Sequence, residues 1–507
     1  MSHPFARRDL LRTAVLVAGV GVTTSACTGP LVTSEDGTAV PPPDHEVVPR
    51  ADGAVATIDG GVEPSVAASE AVLDRSTAAV VSTPDAGSLA AADAAARALG
   101  LPLLVQGPDL LAELDRLQTR TVIGYAAGAP AETSSPDALG DREVVEGGPV
   151  ADLPELPGLP READDGSAVV LLQQGAELPS VLGPLLALTG AVVVPVTDAD
   201  PRRDEASREA LVGAMEAPVL AVGDDVGPSE RMATRVRTAR RATDLPGGGL
   251  LPFPGRRMVA LYGHPSTGAL GMLGEQSPGK SVQRVSRLAE EYAGLTDTTV
   301  IPAFELIATV AAASPMPDGT YSRRTPVDVL LPWVEAAEES GTYVVLDLQP
   351  GRSDFLTQAR TYEPLLRRPW VGLALDPEWR LKPGQKHIEQ IGSVGIAEVN
   401  AVGAWLAELV RTHDLPPKVL TLHQFRTSMV RDRERLDTSL DEVQWLVHAD
   451  GQGGQGDKQA TWRALKKDLP EGVWLGWKNF EDEDAPMLTP EQTMEEVDPT
   501  PWFISYQ

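Results

Sequence analysis

The chain has 507 residues, 42% of them apolar, which is enough for about three domains with cores of their own. Asp and Glu number 72 against 43 Lys and Arg, so a nonspecific grip on phosphate backbones has no electrostatic basis and nucleic acid is not expected as a partner. A single cysteine, Cys27, excludes an intramolecular disulfide and a cysteine-rich zinc module. Aromatic residues are unevenly spread. All nine Trp lie from Trp333 onward, and from Cys27 to about residue 250 the one aromatic is Tyr125, so two bodies of different character share the chain.

In chain order, Arg7 and Arg8 precede Leu10 and Leu11, and an apolar run follows to Val22 before Thr24-Ser25-Ala26-Cys27. That order is a basic region, a short apolar core and a small-residue cleavage site, an export signal over residues 1–26. The stretch from Ala6 to Arg12 resembles a twin-arginine signal, and Ser25-Ala26-Cys27 resembles the end of an actinobacterial-type lipobox. The resemblance implies acylation of Cys27 and a membrane tether at the outer face of the cytoplasmic membrane or the cell wall. Plain secretion and an uncleaved anchor remain as alternatives, although the apolar run is well below the ~20 residues that cross a bilayer. Residues 27–66 carry Pro41-Pro42-Pro43 with scattered Gly and acids, the composition of a linker.

Over residues 67–245, β-branched runs alternate with Ala/Leu-rich helical stretches, the pattern of parallel α/β layers. A unit recurs after about 90 residues. Its first copy has strands at 79–82, 101–105 and 121–124 around helices at 89–99 and 110–117. The second has strands at 168–172, 191–195 and 218–223 around helices at 181–188 and 207–215. Ala98-Leu99-Gly100-Leu101-Pro102-Leu103-Leu104, echoed by Leu188-Thr189-Gly190-Ala191-Val192-Val193, resembles the type-2 cell-wall-binding repeat of Gram-positive surface proteins, which implies contact with wall polymers. The bland alternative is an α/β spacer with no ligand. Arg231, Arg235, Arg237, Arg240 and Arg241 follow in a helical stretch, and such a run is more often a solvated face than a site. Residues 246–255, rich in Gly and Pro, break all periodicity and mark a boundary.

Residues 256–507 match the usual size of a (β/α)8 barrel, and eight strand-like runs fall at 258–262, 299–304, 343–348, 371–376, 419–423, 445–449, 473–477 and 502–506. Helical stretches at 281–292, 327–339, 398–411 and 458–467 lie between them. The expected fold is thus an α/β chain, an N-terminal parallel repeat domain followed by a C-terminal TIM-like barrel. Barrel active sites gather at the C-terminal ends of strands, and nearly every run here ends in a polar residue: His264, Glu305, Asp347 with Gln349, Asp376 with Glu378, His423, His448 with Asp450, and Lys478. Singly, a strand-end Asp often caps a helix and a lone His is often a satisfied core residue. Together they predict a binding or catalytic mouth.

The motif Leu375-Asp376-Pro377-Glu378-Trp379 places two carboxylates at i and i+2, where strand parity would aim both the same way and ionising one would raise the pKa of the other. It resembles the strand-four Asp-x-Glu of barrel glycoside hydrolases of the chitinase and muramidase type. That resemblance implies Glu378 as the proton donor and Asp376 as the group orienting substrate; the strand-end pattern adds Asp347 and Asp450 as further candidate catalytic carboxylates. His264, Glu305, Gln349, Trp379, His423, His448 and Lys478 are then substrate contacts, and Trp333, Trp370, Trp379, Trp445, Trp474 and Trp477 are candidate sugar platforms, about half of them ordinary core. No metal and no cofactor is called for. Gly274-Glu275-Gln276-Ser277-Pro278-Gly279-Lys280-Ser281 fits a phosphate-loop pattern, but its strand ends about ten residues too early and Pro278 removes an N–H from the nest, so no nucleotide is expected. His423 and His448 also match where amidohydrolase barrels place metal ligands, although strand one lacks the His-x-His of that family. The expected function is an envelope lipoprotein whose barrel hydrolyses envelope or extracellular polysaccharide or peptidoglycan. The alternatives are a non-catalytic glycan-binding lipoprotein and a metal-dependent hydrolase.

Overall fold

The computed structural model describes residues 45–59, 63–126, 139–156 and 168–507. Cys27 and the expected export signal over residues 1–26 lie outside the described residues. Among the described residues no helix is long and apolar enough to cross a membrane.

The N-terminal region folds as two parallel four-stranded sheets. One has the order Leu103–Val105, Ala78–Ser82, Thr121–Tyr125, Glu143–Glu146, and the other Val55–Ile58, Val219–Val222, Val169–Gln173, Val192–Val196. In each copy the first repeat strand lies between the second and the third, so the repeat in the sequence is also a repeat of topology. The helix Ala86–Leu99 forms where Ala-rich sequence meets two end signals. The Asp85 side chain accepts from Ser88 N at its start, and Gly100 stops it in the left-handed conformation. It buries Ala92, Ala95 and Ala96 in a core shared with Val80, Leu104 and Ile123.

The linker boundary at residue 66 needs correction. Val47–Pro49 already pairs with Leu73–Ser76, Val55–Ile58 is an edge strand of the second sheet, and Glu63 caps the helix Pro64–Val72. These runs are three and four residues long, too short to show a period amid Pro and Gly.

The C-terminal region is a closed barrel of eight parallel strands: Arg256–Gly263, Thr299–Ala311, Tyr343–Leu348, Val371–Leu375, Lys418–Gln424, Val443–Ala449, Trp474–Asn479 and Phe503–Tyr506. The eighth pairs with both the seventh and the first, and the first with the second, which closes the ring. The second runs past Glu305 and folds back antiparallel onto Ser322–Arg324. The link between strands five and six carries the short turns Thr427–Met429 and Arg433–Arg435 and the two-residue strand Val430–Arg431 where the plan has a helix. Two cores result. Met258, Ala260, Ala303, Tyr343, Ala374 and Phe503 fill the inside of the barrel, and a larger layer packs strands on helices around Trp445, Trp462 and Trp477. Truncating any of these three Trp to Ala costs about 3–5 kcal/mol. The helix Ile396–Thr412 approaches Trp445 at Gly403, where a Cβ would stand 2.6 Å from the indole.

Residues 45–507 form one compact unit. The helix Ser229–Arg241 carries the arginine run, of which Arg231, Arg237 and Arg241 are exposed and Arg235 is buried. Arg231 and Arg235 hydrogen-bond the Asp441 carboxylate, Arg237 bonds Asp414, and Arg240 bonds the carbonyls of Ala214 and Ala217. Arg202 adds a contact to Asp441 at 3.5 Å and is itself held by Asp200. Burial works against the Asp441 charge, but these three arginines outweigh it and hold its pKa at about 2.

Candidate active site

Strand alternation sets which residues line the barrel, and at its C-terminal end each strand contributes one inward residue. They are Tyr262, Glu305, Asp347, Asp376, His423, His448, Lys478 and Ser505, all buried. Their mutual contacts define the layer. Glu305 Oε1 lies 2.8 Å from His423 Nε2 and 3.5 Å from His448 Nδ1. Asp347 Oδ1 is 3.9 Å from His423 Nε2, while its Oδ2 accepts from Tyr262 OH at 3.0 Å. His423 Nδ1 faces Asp450 Oδ2 at 3.1 Å, and Lys478 Nζ pairs with Asp450 Oδ1 at 3.0 Å. Lys478 Nζ also stands 3.5 Å from the Tyr262 ring centre. His448 Nε2 meets Ser505 Oγ at 3.2 Å. Room for that imidazole comes from Gly476, where a Cβ would stand 2.9 Å from His448 Cδ2.

The expected residues separate into three groups. Glu305, Asp347, Asp376, His423, His448, Asp450 and Lys478 come together. Gln349 touches the edge of the cluster, its Nε2 donating to Tyr262 OH at 3.3 Å. His264 is outside it: Nε2 lies 2.9 Å from Thr325 Oγ1, and Nδ1 faces Ser266. Gly263, with φ of 152°, bends the chain just before His264, so Tyr262 is the inward residue. Tyr262 and Ser505 were missed, and the signal for both was parity: each lies at an even spacing from inward residues on its own strand.

The aromatic platforms also change. Trp333, Trp445 and Trp477 belong to the outer core, and Trp370 and Trp474 pack against the inner one. Among the six, Trp379 is half-exposed on the turn after strand four, with its ring edge-on to His387 at 5.3 Å.

Asp376 and Glu378 do not point the same way along a strand. The strand ends at Leu375, Asp376 caps the short turn Pro377–Trp379, and its Oδ1 accepts from Glu378 N at 3.2 Å. Glu378 is left half-buried at the rim.

The electrostatics follow from this placement. Burial, and then the Asp450 charge, push the Glu378 carboxyl up to about 7. Asp376 is raised well above the carboxylate range by burial and then by Asp347. Being uncharged, it is not the group that raises Glu378, which corrects the sequence expectation. Asp347 is raised to about 6, chiefly by burial. Burial opposes ionisation of Asp450 too, but Lys478 and His423 overcome it and keep that carboxylate charged well below the usual range. Glu305 is held low against burial by the two imidazoles. His423 is raised well above its ordinary value, because Glu305 and Asp450 on either side outweigh burial, whereas His448 is lowered by burial. The mouth thus holds one carboxyl whose pKa is raised and one whose pKa is lowered, the division of roles acid/base hydrolysis needs. It also holds a nitrogen and oxygen donor set in Glu305, His423 and His448 that sequence reasoning assigned to substrate contact.

No protein-family model matches the chain, and no curated protein matches it.

Proposed function

We propose that the protein is an exported lipoprotein, acylated at Cys27, whose barrel hydrolyses envelope or extracellular glycan by carboxylate chemistry. The observation that carries this reading is the pair Glu378 and Asp450, two carboxyls in one mouth with pKa values driven in opposite directions. Glu378, protonated near neutral pH, donates to the glycosidic oxygen as the bond breaks. Asp450, kept anionic by Lys478, stabilises the positive charge that develops on the sugar or activates water. Trp379 beside Glu378 offers an apolar face for a sugar ring. A cleft lined by Gln390, Ser393, Arg426 and Arg431 adds polar and cationic walls beside the loops after strands four and five. The N-terminal repeat would hold the enzyme near wall polymer.

The test is release of reducing ends from purified envelope polysaccharide and peptidoglycan. Glu378→Gln is expected to keep co-sedimentation with the glycan and to lose turnover by roughly 10²–10⁴, since the amide is nearly isosteric but has no acidic proton to give. A wild type that binds glycan and releases nothing, with Glu378→Gln indistinguishable from it, would leave a non-catalytic glycan-binding lipoprotein. A second reading, metal-dependent hydrolysis, is favoured by one observation, the donor set of Glu305, His423 and His448.

A further inference from the structure

We propose that the floor of the barrel mouth is a binding site for one divalent transition-metal ion of the zinc type, held by Glu305, His423 Nε2 and His448 Nδ1, with Asp347 as a fourth ligand. This goes beyond the carboxylate reading of the mouth, which needs no ion.

The geometry comes first. One ligand atom from each of Glu305, His423 and His448 lies within 4.8 Å of the others, and all three side chains are buried. The separations from Glu305 Oε1, 2.8 Å to His423 Nε2 and 3.5 Å to His448 Nδ1, bracket the edge of a tetrahedron built on metal–ligand bonds of ~2.0–2.1 Å, about 3.3 Å. Asp347 Oδ1, 3.9 Å from His423 Nε2, is the next carboxylate oxygen to this group.

Unmet bonding comes second. Both Glu305 oxygens, Asp347 Oδ1, His423 Nε2 and His448 Nδ1 are buried without a hydrogen-bond partner, close to one another but not aligned to bond. A buried carboxylate with neither oxygen satisfied is costly, and several such atoms from four strands facing one point are rarer still. A cation among them satisfies all of them at once.

The outer contacts come third. Metal-bound imidazoles have the far nitrogen held by a carboxylate or hydroxyl, and metal-bound carboxylates are hydrogen-bonded on the other oxygen. Here His448 Nε2 meets Ser505 Oγ and Asp347 Oδ2 accepts from Tyr262 OH, while His423 Nδ1 lies 3.1 Å from Asp450 Oδ2 without an aligned hydrogen bond. Each leaves the inner atom free. Two imidazoles with carboxylates select a transition ion over calcium or magnesium, which prefer all-oxygen cages.

The experiment uses the full mature chain, stripped with a chelator and re-equilibrated with Zn²⁺, with metal content read by mass spectrometry and affinity by calorimetry. Co²⁺ in place of Zn²⁺ gives an absorption spectrum that reports nitrogen and oxygen ligands directly. One equivalent per chain is expected. His448→Ala and Glu305→Gln should weaken binding at least about tenfold, and Ser505→Ala, which removes only an outer contact, by roughly 10- to 100-fold or less. If Glu305→Gln does not fold, as judged by circular dichroism, Asp347→Asn and the Co²⁺ spectrum of His448→Ala decide the matter. Less than about a tenth of an equivalent in the wild type, or binding that ignores His448→Ala, would overturn the site and leave His423 as an imidazolium between Glu305 and Asp450. Glu378→Gln should bind the ion like the wild type. Metal binding together with a fully active Glu378→Gln would keep this site and remove the carboxylate reading, and Glu378-dependent turnover without metal would do the reverse.

Discussion

If Glu378 holds its proton near neutral pH, its ionisation must cost the folded barrel stability, and that cost is measurable with no substrate in hand. The pKa rises from 4.5 to about 7, with burial the main cause and Asp450 the next. At ~1.4 kcal/mol per pH unit this sets an upper limit of ~3.4 kcal/mol. Glu378 sits at the rim and partly in water, so screening brings the expected figure to about 1.5–2 kcal/mol. The sign follows from proton binding. Between pH 4.5 and 7 the folded state holds more protons at this group than the unfolded state, so stability falls as pH rises through that window. Glu378→Gln removes the titration. The variant should therefore gain about 1.5–2 kcal/mol on the wild type between pH 4.5 and pH 8. Urea unfolding followed by Trp fluorescence is the assay, because all nine Trp lie from Trp333 onward and the signal reports the barrel alone. A stability difference that stays constant across this range would mean that Glu378 titrates as an ordinary carboxyl, and the proton-donor assignment would fail.

Asp450→Asn removes the charge that adds to burial in lifting Glu378 and leaves the lowering influence of Lys478, so the upper limb of the pH–rate profile should move to lower pH; an unmoved limb would deny the coupling. Asp441→Ala strands Arg231 and Arg235 and takes a contact from Arg202, at an expected cost of about 3–5 kcal/mol, and should split the calorimetric unfolding into separate module and barrel transitions. A single unshifted transition would show that the arginine helix does not couple the two. Cys27→Ser should move the protein from the detergent phase to the aqueous phase, and unchanged partitioning would remove the lipid anchor.

The barrel was legible because its strands are written as short apolar runs of similar length with helical stretches between them, and the run count, total length and polar strand ends agreed. Less legible were the features set by one contact. Val55–Ile58 is a strand only because Val219–Val222 lies beside it, and nothing in Val-Ala-Thr-Ile amid Gly and Asp announces that neighbour. The missing helix after strand five is the same kind of miss: chain with helical composition in part is held instead by Arg433, which reaches Gln424 and the carbonyl of Leu465.

The site shows where parity stops being enough. Alternation along a strand tells which residues face inward, and position at the strand ends put Glu305, Asp347, His423, His448 and Lys478 at one mouth. It fails one residue beyond a strand, since Gly263 turns His264 away and Pro377 starts a turn that parts Glu378 from Asp376. Parity also says nothing about which inward residue meets which, because that depends on the stagger between strands. Asp376 and Glu378 are neighbours in sequence, yet after burial, which raises both, the next cause for Glu378 is Asp450, two strands away, and for Asp376 it is Asp347. Likewise Glu305 meets His423 and His448 across the barrel, three and four strands on. A carboxyl pair adjacent in sequence looks like the chemical unit because local spacing is all a sequence displays. In a closed barrel the shortest distances run across the axis, and the partners that set protonation and could hold an ion are the ones that chain order separates most.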